Sequence, residues 1–282
     1  MSAVAVVTDS TSYLPEGLAE ELGIVVVPLY VTLGDRSGTE GIEITADLVA
    51  DALRDGSVPV RTSRPSPAAF SEAYESLLSK GVEGVVSLQL SAELSGTWEA
   101  ARLAANEVDP KRVRVVDSRS IAMGLGFGVL EAAQAANAGA TLDETFDAAG
   151  RALARTKVLF YVDTLEYLRK GGRISGRSAM LGTALSVKPL LHLVDGRIEM
   201  LEKVRTASKA IRRLQALATE DAGFSSVDIA VHHLGSPVRA FELANTLEFE
   251  VPGLEQMYQS DLGAVIGAHT GPGVVGVVVR HR

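Results

Sequence analysis

The sequence predicts an α/β protein of two domains, and three observations support that fold class. Apolar runs of strand length alternate with helical segments through the first half of the chain. Hairpin signals appear among the helices after residue 157. The 282 residues, of which 46% are hydrophobic, provide enough material for two cores. We therefore predict a parallel-sheet, Rossmann-like domain over residues 1–156 and an α+β domain with a mixed or antiparallel sheet over residues 157–282.

The first elements are read from apolar runs and their breaks. "VAVVTD" at 4–9 is a continuous apolar run, as expected for a strand buried on both faces. "IVVVPLYVTL" at 24–33 reads as one further strand, in which Pro28 indicates an edge or a bend. A short helix is predicted at 14–23, and the segment 34–43 is loop-like.

The helices that follow have clear boundaries. One predicted helix, in "ITADLVADALRDG", ends at Gly56. The next begins with Ser66 as its N-cap and Pro67 as its first residue, and it stops at Gly81. "VEGVVSLQL" and "KRVRVVDS" supply two more strands. The apolar run 121–140 contains Glu, Gln and Asn, so it predicts a buried core helix rather than a membrane span.

The second half contains the signals of a hairpin and of further strands and helices. Asp195-Gly196 lies between two strand-like runs and is the strongest short hairpin signal in the chain. A helix is expected at about 206–220, followed by a strand in "SSVDIAVHHL" and a helix that Ser236-Pro237 opens. These elements favour an α+β domain.

Composition excludes several classes of function. The formal net charge is −8, which argues against a nucleic-acid partner. The sequence has no cysteine and its five histidines lack metal-ligand spacing, so no metal site is expected. No signal peptide is recognised, and we expect a cytoplasmic protein. P-loop and G-x-S-x-G motifs are absent, which weakens the case for an ATPase or a serine hydrolase.

Small hydroxyl residues accumulate where the predicted parallel strands end. They lie at 8–11, at Thr62 and Ser63, between 91 and 97, and at 118. Parallel sheets bind ligands at this edge, so the gathering favours a small polar or anionic site. Each hydroxyl taken alone is more often a cap or a turn residue. For Ser95 and Thr97 both interpretations stay open: a helix cap, or a contact with a negatively charged ligand.

Three other stretches also have two interpretations. "YLRKGGRISG" with the arginine that follows it includes Arg173 and Arg177, and "EKVRTASKA" includes Arg205. These cations form either solvated charge at element ends or a surface that faces phosphate. His269 in "GAHTGPGVVG" is either a structural hydrogen-bond donor or a partner for a serine.

Eight stretches taken in order resemble the DegV family, whose members include the fatty-acid-binding subunits of bacterial fatty acid kinase. They are "VTDSTSYLP", "TSRPSP", "LSGTWEAA", "VVDS", "LEYLRKGGRIS", "KPLL…DGRI", "KVRT" and "HTGPGVVG". The resemblance covers nearly the whole chain and implies two α/β domains with a long-chain fatty acid buried between them. It further implies no catalysis by this chain, no cofactor and a role in phospholipid metabolism.

The same resemblance assigns roles to particular residues. Ser95 would hydrogen-bond the fatty-acid carboxylate together with Thr62 and His269, with Ser63 nearby. The protein would present that carboxylate to a separate, ATP-binding kinase subunit that makes an acyl phosphate, with at most transient membrane contact. Two further positions, Arg173 and Arg205, would face the phosphoryl group or the kinase.

The chain departs from the family pattern in two places. Arg64 stands where the family commonly has Gln, and it either contacts the head group or points to solvent. The loop 34–43 differs from the usual aromatic-x-Asp pattern.

Two alternative functions remain. One is a hydrolase or phosphotransferase that uses Ser95 and His269 at the domain cleft, which a Ser–His hydrogen bond oriented by a carboxylate would favour. The other is a lipid sensor without chemistry, which only the partner would distinguish.

Overall fold

The chain forms two compact units in the computed structural model, which describes residues 3–56, 58–174 and 187–282. The first unit comprises the chain up to Tyr30 together with Ser63–Arg155. The second comprises Val31–Thr62 and Thr156–Arg282. The chain therefore passes between the units three times, and two of these crossings lie within the first 63 residues.

The first unit contains a four-stranded, fully parallel sheet in the order β2-β1-β6-β7. Its elements are β1 (Val4–Asp9), β2 (Val25–Val27), β6 (Gly84–Gln89), β7 (Val113–Asp117), α1 (Leu18–Glu21), α3 (Pro67–Ser79), α4 (Thr97–Val108), α5 (Met123–Asn137) and α6 (Leu142–Ala154). All six residues of β6 are buried, as expected for a central strand with both faces covered. The predicted parallel α/β fold of this part of the chain is confirmed.

The helices of the first unit bury apolar stripes against this sheet. Phe70 and Tyr74 of α3 are fully buried beside the alanines of α4. Ser66 caps α3 and Pro67 opens it, as predicted, with the Ser66 hydroxyl accepting from the N–H of Ala69. The apolar run 121–140 contains α5, and most of its residues are buried. In the part of the chain that the structure describes, no helix combines the length and hydropathy needed to cross a bilayer.

The second unit contains a six-stranded mixed sheet in the order β10-β9-β8-β13-β11-β12. Its elements are β3 (Tyr30–Leu33), β4 (Arg36–Thr39), β5 (Val60–Ser63), β8 (Thr156–Tyr161), β9 (Lys188–Val194), β10 (Arg197–Val204), β11 (Val227–His233), β12 (Leu254–Asp261), β13 (Val275–His281), α2 (Ala46–Asp55), α7 (Glu166–Lys170), α8 (Ala207–Ala222), α9 (Pro237–Glu250) and α10 (Ala264–Thr270). The β11–β12 pair is parallel and the other pairs are antiparallel. The predicted mixed sheet is confirmed.

The hairpin between β9 and β10 turns at the predicted residues. Asp195 and Gly196 have φ angles of 48° and 81°. Two consecutive positive φ angles are typical of the type I′ turn, whose twist matches that of the strands. The core of this unit lies between the sheet and helices α8 and α9, whose apolar faces include Leu214, Leu243 and Leu247.

Three sequence predictions for residues 14–43 are wrong in detail. The run 24–33 is not one strand, because it breaks at Pro28 into β2 and β3, which belong to different sheets. Proline has no N–H for a ladder, and the N–H of Leu29 donates to the Ser10 hydroxyl at 3.0 Å. The segment 34–43 is not wholly a loop, since it contains β4. The helix at 14–23 is only the four residues of α1.

The division of the chain differs from the predicted ranges 1–156 and 157–282 in one segment. Val31–Thr62 belongs with the second unit, where β3, β4 and β5 form a separate three-stranded sheet in the order β4-β3-β5. Helix α2 packs against α10 in that unit. Buried Glu40 accepts the N–H of Val265 at 2.7 Å. These contacts join residues more than 200 positions apart, so no local pattern indicates them.

Candidate functional site

Two carboxylates at strand ends hold the loop that carries Ser95. At the end of β1, the fully buried Asp9 accepts the N–H of Leu90 at 2.8 Å and the N–H of Thr11 at 2.9 Å. Asp117, at the end of β7, accepts the N–H of Ala92 at 3.1 Å. Because β1, β6 and β7 are parallel neighbours, their carboxyl ends meet and both side chains reach the loop after β6.

Ser95 pairs with a second hydroxyl rather than capping α4 in the usual way. Its Oγ lies 2.9 Å from Oγ1 of Thr97. The N-cap of α4 is Gly96, and the N–H of Thr97 reaches Ser95 Oγ only at 3.4 Å. Thr97 is fully buried, whereas Ser95 is partly exposed. When Thr97 donates within the pair, the Ser95 hydrogen is left for an acceptor outside it.

Arg64 lies beside this hydroxyl pair. Its Nη1 donates to the carbonyl of Gly96 at 2.9 Å. A Cβ added at Gly96 would overlap that guanidinium, so the glycine permits the close approach. Arg64 is therefore both exposed and tethered to the residue next to Ser95.

In the second unit, the structure brings Thr62 and His269 together although they are 207 positions apart. Thr62 Oγ1 lies 2.8 Å from Nε2 of His269. Burial, and secondly the positive charge of Arg173, lower the pKa of His269 to about 4. The imidazole is therefore neutral near pH 7 and supplies one N–H and one acceptor. Ser63, the next residue of β5, is exposed and belongs to the first unit. Because successive strand residues point to opposite faces, its side chain points away from the face that carries the Thr62 side chain.

The segment after α7 lies against the other side of the imidazole. A Cβ added at Gly171 would overlap Nδ1 of His269. Arg173 is partly buried, and its Nη1 donates to the carbonyl of Gly171. Arg205 follows β10, is exposed, and makes no hydrogen bond or ion pair with any described residue. Arg177, which the sequence also indicated, lies outside the described residues.

We expect Gly171→Ala to displace the His269 ring while leaving the fold intact. Gly171 has φ −74°, which alanine adopts without strain, so the substitution acts through its methyl group. That methyl would overlap Nδ1, and the overlap pushes the ring and its Nε2 away from Thr62. Imidazole NMR resonances should shift and the pKa of His269 should rise with exposure. Gly172→Ala, in open space but at φ +69°, controls for backbone strain. An unchanged His269 spectrum in Gly171→Ala would contradict the steric argument.

Sequence reasoning missed the structural roles of Asp9, Asp117 and Gly171. For the two aspartates the sequence does contain a signal: an acidic residue at a strand end followed by a small polar residue is typical of a turn. Nothing local marks Gly171, because its contact lies on a distant helix. Among the described residues, no group of three or more Asp, Glu or His side chains is arranged to hold a metal ion.

The fold and these side chains define a two-unit α/β protein with hydroxyls and a neutral imidazole suited to hydrogen-bonding an anionic oxygen. The chain belongs to the DegV family: the model described as "Uncharacterised protein, DegV family" matches residues 3–282. The resemblance seen in the motifs is thereby confirmed.

One curated relative and two solved structures illustrate this similarity. The DegV domain-containing protein SCO2569 of Streptomyces coelicolor is 57% identical over 279 residues, 99% of each chain. A DegV family protein of Thermus thermophilus, described by its fatty acid binding, matches with a TM-score of 0.92 and 36% identity over 100% of both chains. DegV of Bacillus subtilis, described as a fatty acid binding protein, matches with a TM-score of 0.90 and 32% identity over 100% of both chains.

Proposed function

We propose that this protein binds a long-chain fatty acid and holds its carboxylate with Thr62, Ser95 and His269, with Ser63 nearby. The observation that carries the proposal is the Thr62–His269 pair, in which a neutral imidazole contacts a hydroxyl at 2.8 Å. Solved relatives with 32–36% identity over the full length are described as fatty-acid-binding proteins. This similarity supports a fatty acid as the ligand, and the hydroxyl and imidazole groups support hydrogen bonding as the way in which its carboxylate is held.

In the proposed site, Thr62 and Ser95 would each donate one hydroxyl hydrogen to the carboxylate. When His269 Nε2–H donates to Thr62 Oγ1, the Thr62 hydrogen is free to donate elsewhere. The Ser95–Thr97 pair leaves the Ser95 hydrogen free in the same way. Donors that are already oriented lose little entropy when an anion binds, and they favour one carboxylate position.

The acyl tail is expected to supply most of the affinity and the hydroxyls the orientation. Burial of a tail at about 0.8 kcal/mol per CH₂ gives on the order of 10 kcal/mol of gross driving force. A hydrogen bond to a charged group contributes about 1.5–3 kcal/mol. Binding and presentation of the head group are thus separable by mutation.

The finer part of the proposal is that the protein presents the carboxylate to a separate kinase. An ATP-binding subunit would transfer the γ-phosphoryl group to a carboxylate oxygen, forming an acyl phosphate and ADP for use in phospholipid metabolism. This chain would contribute no catalytic group. Arg173 and Arg205 would face the phosphoryl group or the kinase, and the exposure of Arg205 is compatible with contact to a partner. A cytoplasmic location fits this role.

A hydrolase that uses Ser95 and His269 has less support. A pKa of about 4 makes His269 a poor general base at neutral pH. Its imidazole hydrogen-bonds Thr62, and the Ser95 hydroxyl bonds Thr97. When Nε2–H of His269 donates to Thr62, that nitrogen is not available to accept a proton from Ser95.

The test is mass spectrometry of lipid extracted from the purified, folded protein. Near-stoichiometric free fatty acid is the expected result. A protein that is empty and also refuses added palmitate would overturn the proposal. Acyl phosphate formed only when ATP and a kinase subunit are added would establish presentation. Binding without any such product would favour a lipid sensor.

Ser95→Ala is expected to impair presentation more than binding. Loss of one head-group hydrogen bond, at about 1.5–3 kcal/mol, should raise the Kd for palmitate by about 10- to 100-fold. Acyl-phosphate formation should fall further, because the carboxylate is no longer held in one position. Ser79→Ala is the matched control, since that hydroxyl donates to the Ser76 carbonyl within α3. A folded Ser95→Ala protein that loses all lipid would contradict this prediction.

A further inference from the structure

Helix α10, which carries His269, begins without a side-chain cap of its own. Its N-cap is Gly263, which has no side chain to accept a hydrogen bond. The helix spans only Ala264–Thr270, or about two turns. A helix of this length leaves its first N–H groups unsatisfied and is not stable in isolation. Its placement therefore depends on what its first turn contacts.

Glu40 supplies the missing cap from a distant part of the chain. Its Oε1 accepts the N–H of Val265 at 2.7 Å, across 225 positions of sequence. Glu40 is only 5% exposed, so water does not readily replace this bond. A carboxylate at a helix N-terminus satisfies an orphan N–H and complements the helix dipole. The bond is thus both strong and directional.

The turn that presents Glu40 is itself fixed. Glu43 Oε2 accepts the N–H of Thr39 at 2.8 Å and its hydroxyl at 2.9 Å. The N–H of Gly41 donates to the carbonyl of Ile44 at 3.0 Å, and Ile44 is fully buried. These contacts leave Glu40 little freedom to follow a shift of α10.

We propose that Glu40 is a positioning residue for the carboxylate site, because it fixes the first turn of the helix that carries His269. Seven residues at 1.5 Å per residue make α10 about 10 Å long, so a displacement at Val265 is carried to His269. The Thr62 contact at the other end then lengthens or breaks. This assigns a role to the segment 34–43, and its consequence for lipid binding rests on the proposed function.

The test compares Glu40→Ala with Glu40→Gln in the ligand-free protein. Glu40→Ala should raise the pKa of His269, measured by imidazole NMR titration, by at least about one unit as the ring loses burial. Palmitate affinity should fall at least about tenfold, the smallest effect expected for one lost hydrogen bond to the carboxylate. Glu40→Gln keeps an oxygen acceptor, so its His269 titration and palmitate affinity should stay near those of wild type. Glu144→Ala removes the corresponding carboxylate from the capping box of α6 and should leave His269 unchanged.

The outcomes separate this inference from the proposed function. The His269 titration needs no lipid, so wild-type protein that fails to bind palmitate refutes fatty-acid binding alone. A folded Glu40→Ala protein with a wild-type His269 titration overturns the positioning role. If Glu40→Ala does not fold, the Val265 amide decides the question. Its proton should resonate downfield in wild type and move upfield in Glu40→Gln, and an unchanged resonance overturns the inference.

Discussion

The free energy of unfolding of the ligand-free protein is expected to fall by about 5 kcal/mol between pH 6.5 and pH 4 because of two buried histidines. Burial, and secondly Arg173, lower the pKa of His269 to about 4. Burial also lowers the pKa of His232 to about 4, although the Ser260 carbonyl opposes this shift. Each pKa lies about two and a half units below that of an unfolded histidine, which corresponds to about 3 kcal/mol.

The direction follows from proton binding in the two states. Well above pH 6.5 each histidine is neutral in both states and contributes no pH dependence. Between pH 6.5 and pH 4 the unfolded chain binds protons that the folded protein does not, so stability falls as the pH falls. Well below pH 4 both states are protonated and these groups add no further loss. Urea unfolding at a series of pH values measures the effect.

Substitution of each histidine separates its contribution to the pH dependence of stability from that of the carboxylates, which titrate in the same pH range. His269→Gln and His232→Gln should each lower, by about one, the number of protons that the chain takes up on unfolding in this pH range, since glutamine does not titrate. The carboxylate contribution is common to wild type and variants and cancels in the difference. A slope that neither substitution changes would mean that both imidazoles take up protons in the folded protein without cost.

The elements that the sequence predicted well are those with local causes. Ser66 and Pro67 mark the start of α3, and Asp195-Gly196 marks the hairpin, because caps and type I′ turns depend on adjacent residues. The assignment of Val31–Thr62 to the second unit depends instead on contacts such as Glu40 with Val265. No periodicity in the segment encodes a partner 225 positions away.

The candidate site shows the same distinction. Hydroxyls at strand ends indicated a polar site, because parallel strands gather their carboxyl ends at one edge. The pairing of Thr62 with His269 came only from the family resemblance, since spacing does not relate residues 207 positions apart. For Arg64 the sequence indicates either a head-group contact or exposure to solvent, because its bond to the Gly96 carbonyl depends on the conformation of a loop.

Asp9→Ala is expected to lower the free energy of unfolding by about 4 kcal/mol, the second large effect. The carboxylate is fully buried and accepts N–H groups of Thr11 and Leu90 and the Thr11 hydroxyl. Alanine leaves these donors buried without this acceptor, at about 1–3 kcal/mol each. Asp9→Asn keeps an acceptor on one side only and should lose about half as much. Chemical denaturation followed by circular dichroism measures both values.

The matched control is Asp117→Ala. Asp117 also ends a parallel strand and accepts two backbone N–H groups, those of Ala92 and Arg119, at 3.1 and 3.0 Å. It is only partly buried, so water can replace its oxygen and the expected loss is below about 1 kcal/mol. Amide exchange in the loop 90–97 should accelerate in Asp9→Ala and much less in the control. Equal losses in both variants would mean that strand-end carboxylates act here only as turn caps, and that packing of α4, rather than Asp9, holds the loop that carries Ser95.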